Sequence, residues 1–245
     1  MKVNDLEWAT FLYNAMGEDG SYLTHVKNVN KFLECEKLGN EIVDFLNHWR
    51  MRVPKENLSK QLTVWYSKIG KEKIKALQCD DFLKLNLNDE EVAKNISELY
   101  DSLLSRSNSN PEKYNMVKTE KISDTAASKI LHILKPSLFM MWDNNIREYY
   151  INDNSNDTFK DGSKAYMLFM KKMQEFAFTL QEECPDVTKR LNEKVSIFYE
   201  EESSTEASNG YKKPITKFLD EYNWIKITKH VKIPPPWYPE NVDSR

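Results

Sequence analysis

Asp143 opens the segment DNNIREYY directly after an apolar run, Leu138 to Trp142. A carboxylate in that setting can accept the free N–H groups of a helix start. It can also stabilise positive charge that develops on a reacting group. Arg147 follows one helical turn later, at the spacing where a guanidinium can meet that carboxylate or a phosphate. Other chemistries lack their residues. His25, His48, His132 and His230 stand alone, away from Cys35, Cys79 and Cys184, so no spacing fits a zinc site. No P-loop, GxGxxG or GxSxG occurs, which removes nucleotide hydrolysis, dinucleotide binding and hydrolase-elbow chemistry. None of the three cysteines has a partnering base beside it in sequence, and no cofactor is implied.

A second set of residues suits binding. Between Phe45 and Lys75 eight basic residues face only Glu56 and Glu72, with Trp49, Trp65 and Tyr66 interleaved. Basic side chains beside aromatics pair with phosphates and stack on bases, so Arg50, Arg52 and Lys55 predict a polyanion-binding surface. The competing arrangement is a solvated charged face over core aromatics. The net charge of −3 excludes wholesale wrapping of nucleic acid but permits a local basic face.

The elements that must position Asp143 are legible on either side of it. Ser123, Asp124 and Thr125 read as a helix start. Ala127, Ile130, Leu131 and Leu134 then recur at the spacing of one buried helical stripe. Pro136 ends that helix, because it disfavours helical geometry at Lys135 and has no N–H. Lys129 and His132 flank the stripe and are expected on its solvated rim; Trp142 is expected in the core.

This order of helix, proline, apolar connector, aspartate and helix resembles the catalytic segment of the helix-hairpin-helix DNA glycosylase superfamily, its 8-oxoguanine branch in particular. The resemblance covers residues 124–150. It implies a two-lobed helical array and a protein that acts on a modified or damaged base in DNA. Asp143 stands at the position of the family's aspartate, which serves the glycosidic-bond chemistry. TEKIS, ahead of Asp124, carries no glycine-rich hairpin, and no lysine occupies the family's position near Asp124. Lys121 and Lys129 are the neighbouring candidates for a nucleophilic amine. The base would be flipped out of the duplex, with Trp142 as a pocket wall and Arg147 on a phosphate. The alternative is a non-catalytic helical module that binds nucleic acid or a protein partner, with Asp143 as a simple cap.

Across the rest of the chain, apolar residues at helical spacing and only 6 glycines predict an all-α fold. The length allows one unit of two lobes, about residues 1–105 and 111–230. Helices are expected over Asp5–Met16, Tyr22–Leu38, Glu41–Trp49, Ser163–Glu183, Pro185–Tyr199 and Pro214–Asn223, with a further one capped by Asn88 or Asp89. The acidic, serine-rich residues 200–210 read as a flexible connection, and 231–245 as an extended, proline-rich tail. MKVNDLEWATFLYNAM is no signal peptide, and no apolar run reaches the ~20 residues that span a bilayer. A cytoplasmic protein with no membrane partner is expected.

Overall fold

The computed structural model describes residues 1–17, 21–53, 55–104, 122–151, 162–198 and 212–233, and every regular element among them is helical. The all-α expectation therefore holds. Lys121, the 200–210 connection and nearly all of the tail lie outside the described residues, as does the side chain of Lys55.

In chain order the helices are α1 (Val3–Ala15), α2 (Tyr22–Phe32), α3 (Leu38–His48), α4 (Lys55–Trp65), α5 (Lys71–Ala76) and α6 (Glu90–Leu103). They continue with α7 (Asp124–Leu134), α8 (Asn144–Ile151), α9 (Ser163–Glu183), α10 (Val187–Val195) and α11 (Ile215–Asn223). A π-helical turn, Tyr66–Gly70, joins α4 to α5, and a second one, Trp224–Thr228, continues α11. The stretch expected as a single second helix breaks after Phe32, and α3 starts at Leu38.

Local chemistry sets the boundaries that matter. Ser123 caps α7 by accepting the Ala126 N–H, and Asp89 caps α6 by accepting from Glu91 and Val92. α7 ends at Leu134, two residues before Pro136. Buried residues from Val3 to Ile227 join in one core. Two of its parts bear on function. α7 is buried at every position except Thr125. α11 is buried along its whole length, packed on α1 and α9, with its π turn against α8.

The aromatics of the basic stretch separate. Trp65 and Tyr66 belong to the core, where the Trp65 indole donates to Ser102 Oγ at 2.8 Å. Trp49 remains half-exposed, close to the cleft described next. No helix among the described residues is long and apolar enough to cross a membrane.

Candidate active-site cleft

The loop after α3, the start of α7, the α7–α8 junction and the π turn after α11 enclose a cleft of about 610 Å³. Asp143, Lys129, Trp142 and Arg50 all line it, so residues 50, 129 and 142–143 of the sequence meet in one place. Arg52 is exposed on the same loop. Arg147 lies outside the cleft lining, with Nη1 3.5 Å from Asp124 Oδ2.

Asp143 is fixed from two sides. Its Oδ1 accepts the Ile146 N–H at 2.9 Å, the N-cap bond of α8. Its Oδ2 accepts the Thr228 hydroxyl at 2.6 Å. The π turn makes that second contact possible. Its wide i→i+5 ring, closed by Lys229 N–H on Trp224 O at 2.9 Å, lays Thr228 and Trp224 beside the start of α8. Single π turns of this kind are frequent at functional sites.

Lys129 departs from the rim position expected for it: it is buried, with 7% of its surface exposed. α7 packs against α2, α3 and α6, so its polar edge meets protein instead of water. Nζ lies 3.9 Å from the Met51 sulfur and 5.0 Å from the centroid of the Trp49 ring. Loss of water pushes its pKa down; the charges of Asp220 and Asp143 oppose that shift, and Lys217 adds to it. Lys129 is thus an amine whose pKa burial lowers from the ordinary lysine value, at the wall of the cleft and within the field of Asp143.

His132 is also buried. Its Nδ1–H donates to Phe139 O and its Nε2 accepts from Tyr22 Oη, both at 2.7 Å. Trp142 sits in the core as expected, against Tyr100, Tyr166 and Phe169, and presents part of itself to the cleft. Its indole donates to Asp124 O at 3.2 Å, and Ser128 Oγ bonds its backbone N–H at 3.2 Å. These bonds tie the start of α7 to the residue before Asp143.

The loop that carries Arg50 and Met51 is strained. Arg50 and Arg52 adopt φ of 59° and 51°, the left-handed region that bulky residues avoid. Asn47 holds the turn closed: its side chain donates to Val53 O at 3.0 Å and accepts the Val53 N–H at 2.8 Å. The result aims Met51 at Lys129 and leaves both arginines exposed.

Sequence reasoning missed Asp220, Trp224, Thr228 and Lys229, all of which line the cleft. The stripe Ile215, Phe218, Leu219 and Tyr222 marks one docking face of the helix and assigns no place to its charged residues. A usable signal was present in Lys217, Asp220 and Glu221, because opposite charges three and four apart can compensate one another in a dry site. No three His, Cys, Asp or Glu side chains among the described residues form a metal-holding group. Comparison with protein-family models, with curated proteins and with solved structures finds no match to this chain.

Proposed function

We propose that the chain is a DNA-glycosylase-like protein that takes a modified or damaged base into this cleft and cleaves its N-glycosidic bond. The observation that carries the reading is Lys129: a desolvated amine that lines the same cleft as the fixed carboxylate of Asp143 and feels its charge, with Trp49, Trp142 and Trp224 in the cleft wall. The resemblance of residues 124–150 to the glycosylase segment supports the same assignment, as do Arg50 and Lys229 at the cleft for phosphate contact.

In this reading the Nζ lone pair of Lys129 forms a bond to the sugar C1′ while the C1′–N bond breaks. The bonding pair leaves on the base nitrogen, which takes up a proton. Loss of the Nζ proton and opening of the sugar give an iminium, which water hydrolyses to an abasic sugar and the free amine. Asp143 stabilises the positive charge that develops on the sugar. Tryptophan faces supply stacking for an extruded base, about 1–3 kcal/mol per base.

The test is incubation of the protein with duplexes that each carry one modified base, followed by borohydride. Released base and a reduced sugar adduct on Lys129, located by peptide mass spectrometry, are expected. If no duplex in the panel yields either, the reading is wrong.

One observation favours a non-catalytic binding module instead. Asp143 accepts hydrogen bonds on both oxygens, as a purely structural cap would. Duplex binding without base release would establish that alternative.

A further inference from the structure

A lysine, an asparagine and a glutamate meet in the interior of the protein, and none of them lines the cleft. Lys213 Nζ lies 3.0 Å from Asn14 Oδ1 and 2.9 Å from Glu221 Oε1. Lys213 and Glu221 are fully buried and Asn14 nearly so. The centroid of the Phe218 ring stands 6.0 Å from the ammonium.

Both ends of the Lys213–Asn14 contact are held. Asn192, on α10, donates to Lys213 O at 2.9 Å and accepts the Lys213 N–H at 2.8 Å. Asn14, in the last turn of α1, donates its amide to Thr10 O at 2.7 Å. The Asn14 amide is thereby oriented, with its nitrogen on a carbonyl and its oxygen on the ammonium. Its carbonyl carbon stands one C=O bond, about 1.23 Å, behind that oxygen. A small rotation of the amide presents the face of this carbon to Nζ, and fixed partners at such range react far faster than free ones.

Stability does not explain this arrangement. Buried ion pairs often contribute less than apolar side chains of similar size, because desolvation offsets their attraction. Glu221 Oε2 is also buried with no hydrogen-bond partner among the described residues. Such an oxygen is costly in a purely structural pair, whereas a group that carries protons between two nitrogens needs one open position.

We propose that Lys213 and Asn14 join through an intramolecular amide bond, with Glu221 as the proton carrier. Glu221 takes one proton from the Lys213 ammonium, and the electron pair stays on Nζ. That pair bonds to Asn14 Cγ while the C=O pair moves onto Oδ1. When the oxygen pair returns, the Cγ–Nδ2 bond breaks with its electrons on nitrogen. Glu221 gives its proton to that nitrogen, which leaves as ammonia, and then takes the second proton from Nζ. The ammonia carries this last proton away as ammonium, so Glu221 ends as the carboxylate it began as. No oxidant, metal or cofactor enters the balance.

Lys217 completes the site. It is fully buried, with Nζ 3.5 Å from Glu221 Oε1, and remains as counter-charge once Lys213 is a neutral amide. The bond ties the last turn of α1 to the residue before Pro214, so chain positions 14 and 213 stay together even when the protein unfolds. Neither Lys129 nor the cleft takes part, so this inference is independent of the glycosylase reading.

The test is mass spectrometry of the denatured full chain, followed by peptide mapping. The native chain should be lighter than its sequence by one ammonia. A branched peptide joining Asn14 to Lys213 should survive reductant and boiling detergent. Separate Asn14 and Lys213 peptides at their sequence masses would overturn the proposal.

Glu221→Gln keeps the size and an acceptor oxygen but takes up no proton. It should show the full sequence mass, and loss of ammonia to the native extent would overturn the role of Glu221. Because a buried Gln beside two ammonium groups can impair folding, Lys213→Arg is the second variant. It keeps a positive charge opposite Glu221 but offers no nucleophilic amine. It should lose no ammonia and should unfold at a lower urea concentration than the native chain, since the loop between positions 14 and 213 is open. Loss of ammonia in this variant would place the reaction elsewhere and overturn the proposal. The native measurement needs no variant and decides the matter even if both fail to fold.

Discussion

Tyr22 donates its hydroxyl hydrogen to Nε2 of His132 at 2.7 Å, a contact between α2 and α7 that no water reaches. With Nδ1–H already given to Phe139 O, the imidazole is used on both sides as a neutral ring. Burial pushes its pKa down to about 3; the Phe139 bond opposes the shift and the Lys217 charge adds to it. The folded value is the depressed one, so the unfolded chain binds the proton more tightly. The His132 contribution is complete above its ordinary pKa of 6.5 and is lost as pH falls toward about 3. Its slope is at most about 1.4 kcal/mol per pH unit. Asp220, raised to about 6, works in the opposite sense: its contribution is present below 3.8 and is lost as pH rises through 6. His132→Gln retains a donor and an acceptor but does not titrate. Urea unfolding at a series of pH values should therefore show a shallower acid loss in the variant than in the native chain. Equal slopes would mean that His132 is not the titrating group.

Gly39 sets how closely α3 and α4 approach. A Cβ placed there would stand 1.8 Å from the Ser59 carbonyl oxygen and 2.7 Å from Thr63 Oγ1. The Gly39 N–H also donates to Thr63 Oγ1 at 3.0 Å. Backbone cannot yield as a flexible side chain does, so Gly39→Ala should separate the helices. The expected loss is about 1–3 kcal/mol or more, read as a lower urea midpoint. An unchanged midpoint would show that the two helices can slide apart at no cost.

Helix positions were legible where local chemistry decides them. Ser123 and Pro136 bracket α7, and the methionine-rich stripe from Tyr166 to Leu180 gives α9 its expected span, Ser163–Glu183. The cleft was half legible. Asp143, Lys129, Trp142 and Arg50 could be picked out because they sit near helix ends or on a basic stretch. The burial of Lys129, His132 and Lys217 could not, because it depends on which helices cover their faces. The π turn that brings Thr228 to Asp143 was equally invisible, as no residue type marks a one-residue widening of a helix.

Arg50 and Arg52 keep a backbone conformation that glycine would adopt without strain. Arg50→Gly and Arg52→Gly should each relieve about 1–2 kcal/mol of steric cost, offset in part by the larger entropy of the unfolded chain. If the loop serves to present two guanidinium groups to phosphates, the double variant should melt no lower than the native chain. It should nevertheless bind duplex DNA more weakly and with a flatter salt dependence. Charge reversal at the same positions should weaken binding further. Binding that survives both changes would place the polyanion surface elsewhere.

The capping role and the chemical role of Asp143 separate cleanly by substitution. Asn caps a helix about as well as Asp does, and its side-chain oxygen can still accept the Ile146 N–H that Oδ1 accepts now. The Thr228 hydroxyl, which donates to Oδ2, can rotate to accept from the new amide instead. Asp143→Asn should accordingly change the melting temperature little. The amide carries no charge, however, and a cationic sugar in the transition state would lose its counter-charge. Loss of one such electrostatic partner typically raises a barrier by about 3–4 kcal/mol, a rate loss of roughly a hundredfold to a thousandfold. Base release from the modified duplex that the native chain processes best should fall by that factor, with duplex binding retained. Thr228→Val removes the hydroxyl but keeps the carboxylate, and should cost a smaller factor. Equal release by the native chain and Asp143→Asn would leave Asp143 as a cap and assign the chemistry to another residue.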